Sequence, residues 1–219
     1  MESCALDTAE QFPWDAVITW VDYDYPVDGW VRALKFQKEA SLAHGLGWGL
    51  ARAISQAPLD LQKRVSRLDA FIPLPLSRER LAKRGFNQAQ LIAQSLRSAS
   101  RSEALSSKLS FANRQDLRLN ILKRIKDGPP MTLLVSEGRH HLVKGAYVVV
   151  SKSPRTNRSE GRETSSTLLP DSRQPLQGLR LGLVDDVMTT GATLAEATRC
   201  LKAAGALEVI VLVAARTPK

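Results

Sequence analysis

Residues 179–196 constrain this chain more than any other stretch. They run as an apolar segment, two adjacent carboxylates, a short loop of small and hydroxyl residues, and a helical repeat. The segment 179–184 is broken only by Arg180 and Gly182, and reads as a buried strand. Asp185 and Asp186 are expected at its solvent-reachable end, where carboxylates accept hydrogen bonds from neighbouring sugar hydroxyls. Thr189, Thr190 and Thr193 offer hydroxyls, and Gly191 lets backbone amides approach a ligand with no Cβ in the way. A helix is expected from about Thr193 to Ala204, with Leu194, Ala197, Leu201 and Ala204 inward and Gly205 as its stop. Its free N–H groups and positive dipole end favour a phosphate. A ribose carrying a 5′-phosphate matches both halves of the segment.

Two other readings compete. Thr193-Leu194-Ala195-Glu196 is also a capping box, which helices carry with no ligand present. An acid pair after a strand can hold Mg²⁺, as in a phosphoacceptor receiver, but a receiver places its acids early, with several βα units following. Here one helix and one strand remain. No Gly-x-x-x-x-Gly-Lys-[Ser/Thr] loop occurs.

The rest of the chain alternates strand and helix patterns. Residues 14–23 are rich in β-branched and aromatic side chains and read as a strand. A helical pattern begins at Trp30, and Leu42, Leu46, Leu50 and Ile54 then recur every four residues. A short apolar run at 69–72 ends in Pro73-Leu74-Pro75, a helix is expected over about 87–96, and residues 145–150 and 209–213 read as strands. This alternation predicts an α/β fold with a mostly parallel sheet, whose ligands sit at the carboxyl ends of the strands. Residues 1–219 are taken as a single domain. Residues 151–178, rich in Ser, Thr and Arg, offer little to bury and are expected to form a mobile surface insertion.

At 43% hydrophobic residues with a net charge of +9, the chain suits a globular protein with a polyanionic partner. No apolar run reaches the ~18 residues of a membrane span, and no secretory h-region opens the chain. A cytoplasmic location follows as the expectation. Cys4 and Cys200 form no metal or disulfide spacing.

The decapeptide 184–193, Val-Asp-Asp-Val-Met-Thr-Thr-Gly-Ala-Thr, resembles the phosphoribosyl-pyrophosphate (PRPP) signature of type I phosphoribosyltransferases. Residues 23–27, 33–36 and 73–76, the stretch Arg84-Gly85-Phe86-Asn87-Gln88-Ala89, the triplet Gly145-Ala146-Tyr147 and the terminal 215–218 resemble the ComF branch of that superfamily. The resemblance implies the type I phosphoribosyltransferase fold, with helices flanking a central, mostly parallel sheet. It implies that Asp185 and Asp186 hold the ribose hydroxyls. Thr189, Thr190, Gly191, Ala192 and Thr193 would cradle the 5′-phosphate, with Val187 and Met188 as further PRPP contacts. Pro73, Leu74 and Pro75 would meet the pyrophosphate, with Arg84 as a catalytic cation and Lys35 as a further PRPP contact. Mg²⁺ would arrive with PRPP, and the chain itself is expected to hold no metal. ComF proteins often begin with a Cys-x-x-Cys zinc ribbon, whereas only Cys4 stands here, so no zinc site is expected. The activity implied is phosphoribosyl transfer to an acceptor that the residues do not specify. The alternative is a non-catalytic PRPP-binding accessory in DNA uptake, with single-stranded DNA or uptake machinery as partner.

Several residues have blander uses. Lys35, between Leu34 and Phe36, can simply snorkel. Arg78 and Arg80 can belong to a solvated helix face. The basic stretch 98–126 can be a lid over phosphates or a nucleic-acid stripe, although Phe111 is its lone aromatic. His44, His140 and His141 show no metal spacing, and Trp14, Trp20, Trp30 and Trp48 suit core or interface anchoring.

Overall fold

A parallel sheet of five strands organises the computed structural model of the chain, which describes residues 12–101, 116–118, 121–125, 145–150 and 175–218. In chain order the strands are β1 (Ala16–Asp22), β2 (Ala70–Pro73), β3 (Asp116–Leu117), β4 (Leu122–Arg124), β5 (Tyr147–Val149), β6 (Arg180–Met188) and β7 (Glu208–Arg216). The sheet order is β1-β7-β6-β2-β3, every pairing parallel, so β6 lies at the centre. Strands β4 and β5 form a separate antiparallel pair. The helices are α1 (Val27–Arg32), α2 (Leu42–Gln56), α3 (Leu59–Ser66), α4 (Arg78–Arg84), α5 (Gln88–Ala99) and α6 (Ala192–Ala203), and a π-helical turn, Ala33–Gln37, continues α1. No helix among the described residues is long and apolar enough to cross a membrane.

The period of two along β7 shows how the core is divided. Ile210, Leu212 and Ala214 face one cluster with the leucine stripe of α2 and Ile92 and Leu96 of α5. Val209, Val211 and Val213 face the other, with Leu194, Ala197 and Leu201 of α6 and with Trp14. A parallel sheet must be covered on both faces, and here it is.

The structure lengthens some elements and adds others. Strand β6 does not stop at Val184 but continues through both acids to Met188. Its neighbour continues as far, with Asp185, Val187 and Met188 opposite Val213, Ala215 and Arg216 of β7, so ladder pairing holds the backbone extended. Helix α3, of eight residues, escaped the periodicity because two turns give a pattern too few repeats, and α4 is the solvated helix face weighed for Arg78 and Arg80. Pro175–Gly178, the end of the expected insertion, fold as a turn that buries Leu176. The remainder of that segment, and most of 98–126 with His140 and His141, lie outside the described residues.

Helices α2 and α5 touch at Gly47, where an added Cβ would lie 2.5 Å from Ser95 Cβ and 2.8 Å from Ile92 O and Leu96 N. Two of those atoms are backbone and cannot turn aside. Ser95 is held there by the hydrogen bond its hydroxyl donates to His44 O at 2.9 Å, and its Oγ also lies 3.3 Å from His44 Nδ1. Overpacking of this kind costs about 1–3 kcal/mol, more than the roughly 1 kcal/mol that Ala gains over Gly in a helix. Gly47→Ala is therefore expected to lower the urea midpoint. Gly45→Ala, on the same helix with nothing within 4 Å of its Cβ, is expected to raise it.

Candidate functional site

The acid pair sits at the carboxyl end of the central strand, and its two members differ. Asp186 is 3% exposed, contrary to the solvent-reachable position expected for it. Burial follows from its place between flanking strands under a helix that crosses the sheet edge. Its Oδ1 accepts the Val187 N–H at 2.8 Å, while Oδ2 lies 3.0 Å from Lys35 Nζ. That second contact is one of charge: Oδ2 is buried and receives no aligned hydrogen bond. Asp185 accepts the Asp186 N–H at 2.9 Å. Burial, followed by the charge of Asp186, pushes its carboxyl well above the usual carboxylate range, and Lys35 only partly offsets this.

Lys35 reaches this point because of the π-turn. Tyr23 N–H donates to Arg216 O at the end of β1. From there α1 and the π-turn pass over β7 to β6, two strands along. Val27, Val31 and Leu34 anchor the crossing in the core. The wider turn places Leu34 inward and Lys35 over Asp186, and π-turns of this sort recur at functional sites. Lys38, left-handed at φ 61°, ends it.

Beyond the acids, the expected PRPP contacts Val187 and Met188 belong to the strand and not to the loop. Val187 packs against the core and Met188 is buried, both within β6, so the loop proper begins at Thr189 and Thr190, and Thr190 Oγ1 accepts the Ala192 N–H at 3.5 Å. Ala192 and Thr193 already belong to α6, whose N-cap is Gly191 at φ 74° with no side-chain cap. The capping-box reading fails: Glu196 instead accepts the Gly145 N–H and pairs with Arg199 at 3.3 Å. Gly191 offers no side-chain cap, so apart from the Ala192 N–H, which donates to Thr190 Oγ1, the first turn of this twelve-residue helix keeps its N–H groups available to an anion. Gly191 is also required sterically, since a Cβ there would approach Trp14 to 2.9 Å.

Strand β2 brings the proline loop alongside. Pro73 pairs with Val184, and Leu74 N–H donates to Val184 O at 2.8 Å. Asn87, the N-cap of α5, donates from Nδ2 to Leu74 O at 3.0 Å and fixes the loop. Leu74 is itself buried, leaving Pro75 as the more open member of the three. Arg84, the last residue of α4, places its guanidinium 5.9 Å from the Phe36 ring centroid, beside Lys35. The structure thus gathers Lys35, Pro73–Pro75, Arg84, Asp185, Asp186 and the 189–193 segment along one sheet edge.

A family description, Phosphoribosyl transferase domain, matches residues 82–219. Competence protein F of Haemophilus influenzae is 28% identical over 211 residues, 96% of this chain and 76% of that protein. DNA utilization protein YhgH of Escherichia coli K12 is 27% identical over 215 residues, 94% and 74% of the two chains. Competence protein ComFC of Bacillus subtilis is 30% identical over 131 residues, 60% and 37%. The chain belongs to the phosphoribosyltransferase superfamily, in its ComF branch.

Two residues of this ComF protein near the acid pair were not among those expected from sequence. Tyr147 on β5 is buried, and Arg124 opposite it on β4 donates to its hydroxyl at 3.4 Å with the guanidinium 5.7 Å from the ring centroid. Burial pushes the phenol up to about 12, with Arg124 opposing and Asp185 adding to the rise. The triplet Gly145-Ala146-Tyr147 and the basic residue Arg124 were both visible in sequence. Their partnership was not, because it depends on an antiparallel pairing across 23 residues.

The asymmetry of the acid pair sets opposite outcomes for its variants. Folded Asp185 holds its proton to a higher pH than the unfolded chain does, so its charge opposes folding as pH rises through the window from the ordinary carboxylate range to the raised folded value. Asp185→Asn is expected to raise the melting temperature at neutral pH, with the gain fading below the ordinary carboxylate range. Asp186→Asn leaves Lys35 without its partner. Breaking a buried pair costs about 3–5 kcal/mol, reduced to about 1–3 kcal/mol because the Lys35 side chain is 21% exposed. Thermal denaturation of both variants across pH checks the two signs.

Proposed function

We propose that this ComF protein binds PRPP through the edge of β6 and transfers its phosphoribosyl group to an acceptor nucleophile. The observation that carries the reading is the partly exposed carboxyl of Asp185, beside the ion-paired Asp186 at the end of β6, followed within a few residues by the N-terminus of α6, where Gly191 gives no side-chain cap. A ribose hydroxyl donates to the carboxyl and a 5′-phosphate meets the N–H groups of the helix start. In transfer, the acceptor's lone pair forms a bond to C1 as the C1–O bond breaks and pyrophosphate leaves with the electron pair. The residues' part is to orient the ribose and offset the departing charge, with Arg84 and the proline loop beside the acids. The site offers hard oxygen donors, carboxylates and threonine hydroxyls, of the kind Mg²⁺ takes. Bound together with PRPP, the ion would screen the pyrophosphate.

A second reading, a DNA-handling accessory that retains the PRPP site, is favoured by the names of its relatives, competence protein F and DNA utilization protein. The net charge of +9 suits such a partner. The two readings differ in turnover, which pyrophosphate release with candidate acceptors measures.

PRPP with Mg²⁺ is expected to raise the melting temperature, since a ligand specific to the folded state stabilises it by mass action. The Asp185→Asn/Asp186→Asn double variant is expected to lose that shift, each charged hydrogen bond being worth about 1.5–3 kcal/mol. An undiminished shift in the folded double variant removes the acid pair from the site.

A further inference from the structure

The surface beside the acid pair has a feature that PRPP chemistry leaves unused. Helix α4 buries none of its seven residues. Ser77 accepts the Arg80 N–H at its start, and Gly85, at φ 85°, closes its end. A helix so firmly capped yet burying nothing contributes little to the core, and its residues are Arg78, Glu79, Arg80, Leu81, Ala82, Lys83 and Arg84: four cations against one acid. Its last guanidinium lies over Phe36, whose side chain is 72% exposed. Lys38, also exposed, follows two residues later. The result is an aromatic ring flanked by cations on an open surface.

We infer that α4 and Phe36 form a landing surface for single-stranded nucleic acid, with a base stacked at Phe36 and Arg84 and the backbone phosphates along α4. This deepens the DNA-handling reading and rests on it, not on PRPP turnover. Base–aromatic stacking beside a cationic track is how single strands are held without sequence preference. A free nucleobase needs a concave site enclosing most of its surface, whereas Phe36 stands open. A duplex keeps its bases stacked inside and offers none to the ring. The cations serve the phosphates by counterion release.

The test is fluorescence anisotropy of a labelled oligothymidylate, and of a duplex of equal length, with the full chain at several salt concentrations. Phe36→Ala is expected to weaken single-strand binding at least about fivefold, the equivalent of one lost stack, and to leave duplex binding unchanged. Phe36→Trp is expected to restore it. The pair Arg78→Ala/Lys83→Ala is expected to lower the single-strand salt slope by about 1.4, two phosphates' worth. Phe36→Ala should keep the PRPP-induced thermal shift, which also shows that the variant is folded.

If the folded chain binds no single strand even at low salt, both the DNA reading and this surface fall. If it binds but Phe36→Ala and Arg78→Ala/Lys83→Ala change nothing, the surface is wrong and the DNA reading stands. Duplex binding that weakens equally with Phe36→Ala overturns the stacking role. So does displacement of the strand by free thymidine. Loss of the PRPP shift in Phe36→Ala assigns the ring to the PRPP site instead and overturns the inference.

Discussion

Two carboxylates on consecutive residues of a central parallel strand are an electrostatic burden, and the ion pair between Lys35 and Asp186 is what relieves it. Asp186 is buried, with Lys35 Nζ 3.0 Å away. Without that cation, only the backbone N–H groups of Asp186 and Val187 would offset desolvation and the repulsion between the acids. The relief is incomplete. Asp185 stays well above the ordinary carboxylate range, so the pair consists of one acid compensated by a lysine and one held back from ionising. Carboxyls perturbed in this way cluster at functional sites.

Much of the local architecture serves that contact. The π-turn exists where Leu34 must face the core and Lys35 must face β6 at once. The crossing from β1 to β6 places Phe36 outward and within reach of Arg84, so the helix segment that pairs with Asp186 also builds the neighbouring surface. On the far side of the sheet, Gly191 is pressed against Trp14, and Glu196 holds Gly145 and with it the approach to Tyr147. The start of α6 is thereby tied both to the N-terminal aromatics and to the β4–β5 pair. A change at Gly191 would therefore disturb packing on both sides.

Pattern in the sequence was sufficient wherever a side chain's role depends on its near neighbours. The strand–acids–loop–helix order, the leucine stripe of α2, the apolar run of β7 and the α/β class all follow from local hydrophobic pattern and from glycine at a left-handed position. The acid pair and the loop were legible for the same reason. The end of β6 was misplaced because an Asp pair reads as a strand terminator, while ladder bonds from β7 are indifferent to side chains.

Tertiary structure alone decided which cation meets which acid. Nothing local to Lys35 distinguishes it from a snorkelling lysine; its partner lies 151 positions away, the separation between Lys35 and Asp186. The burial of Asp186, the Tyr147–Arg124 pair and the outward aromatic at Phe36 are likewise products of crossing geometry and strand order. The sequence by itself determined the strand, the acids and the loop, because backbone and side-chain chemistry act over a few residues. The electrostatic state of the acids was decided by the fold, because desolvation and charge pairing depend on which distant residues the fold brings within a few ångströms.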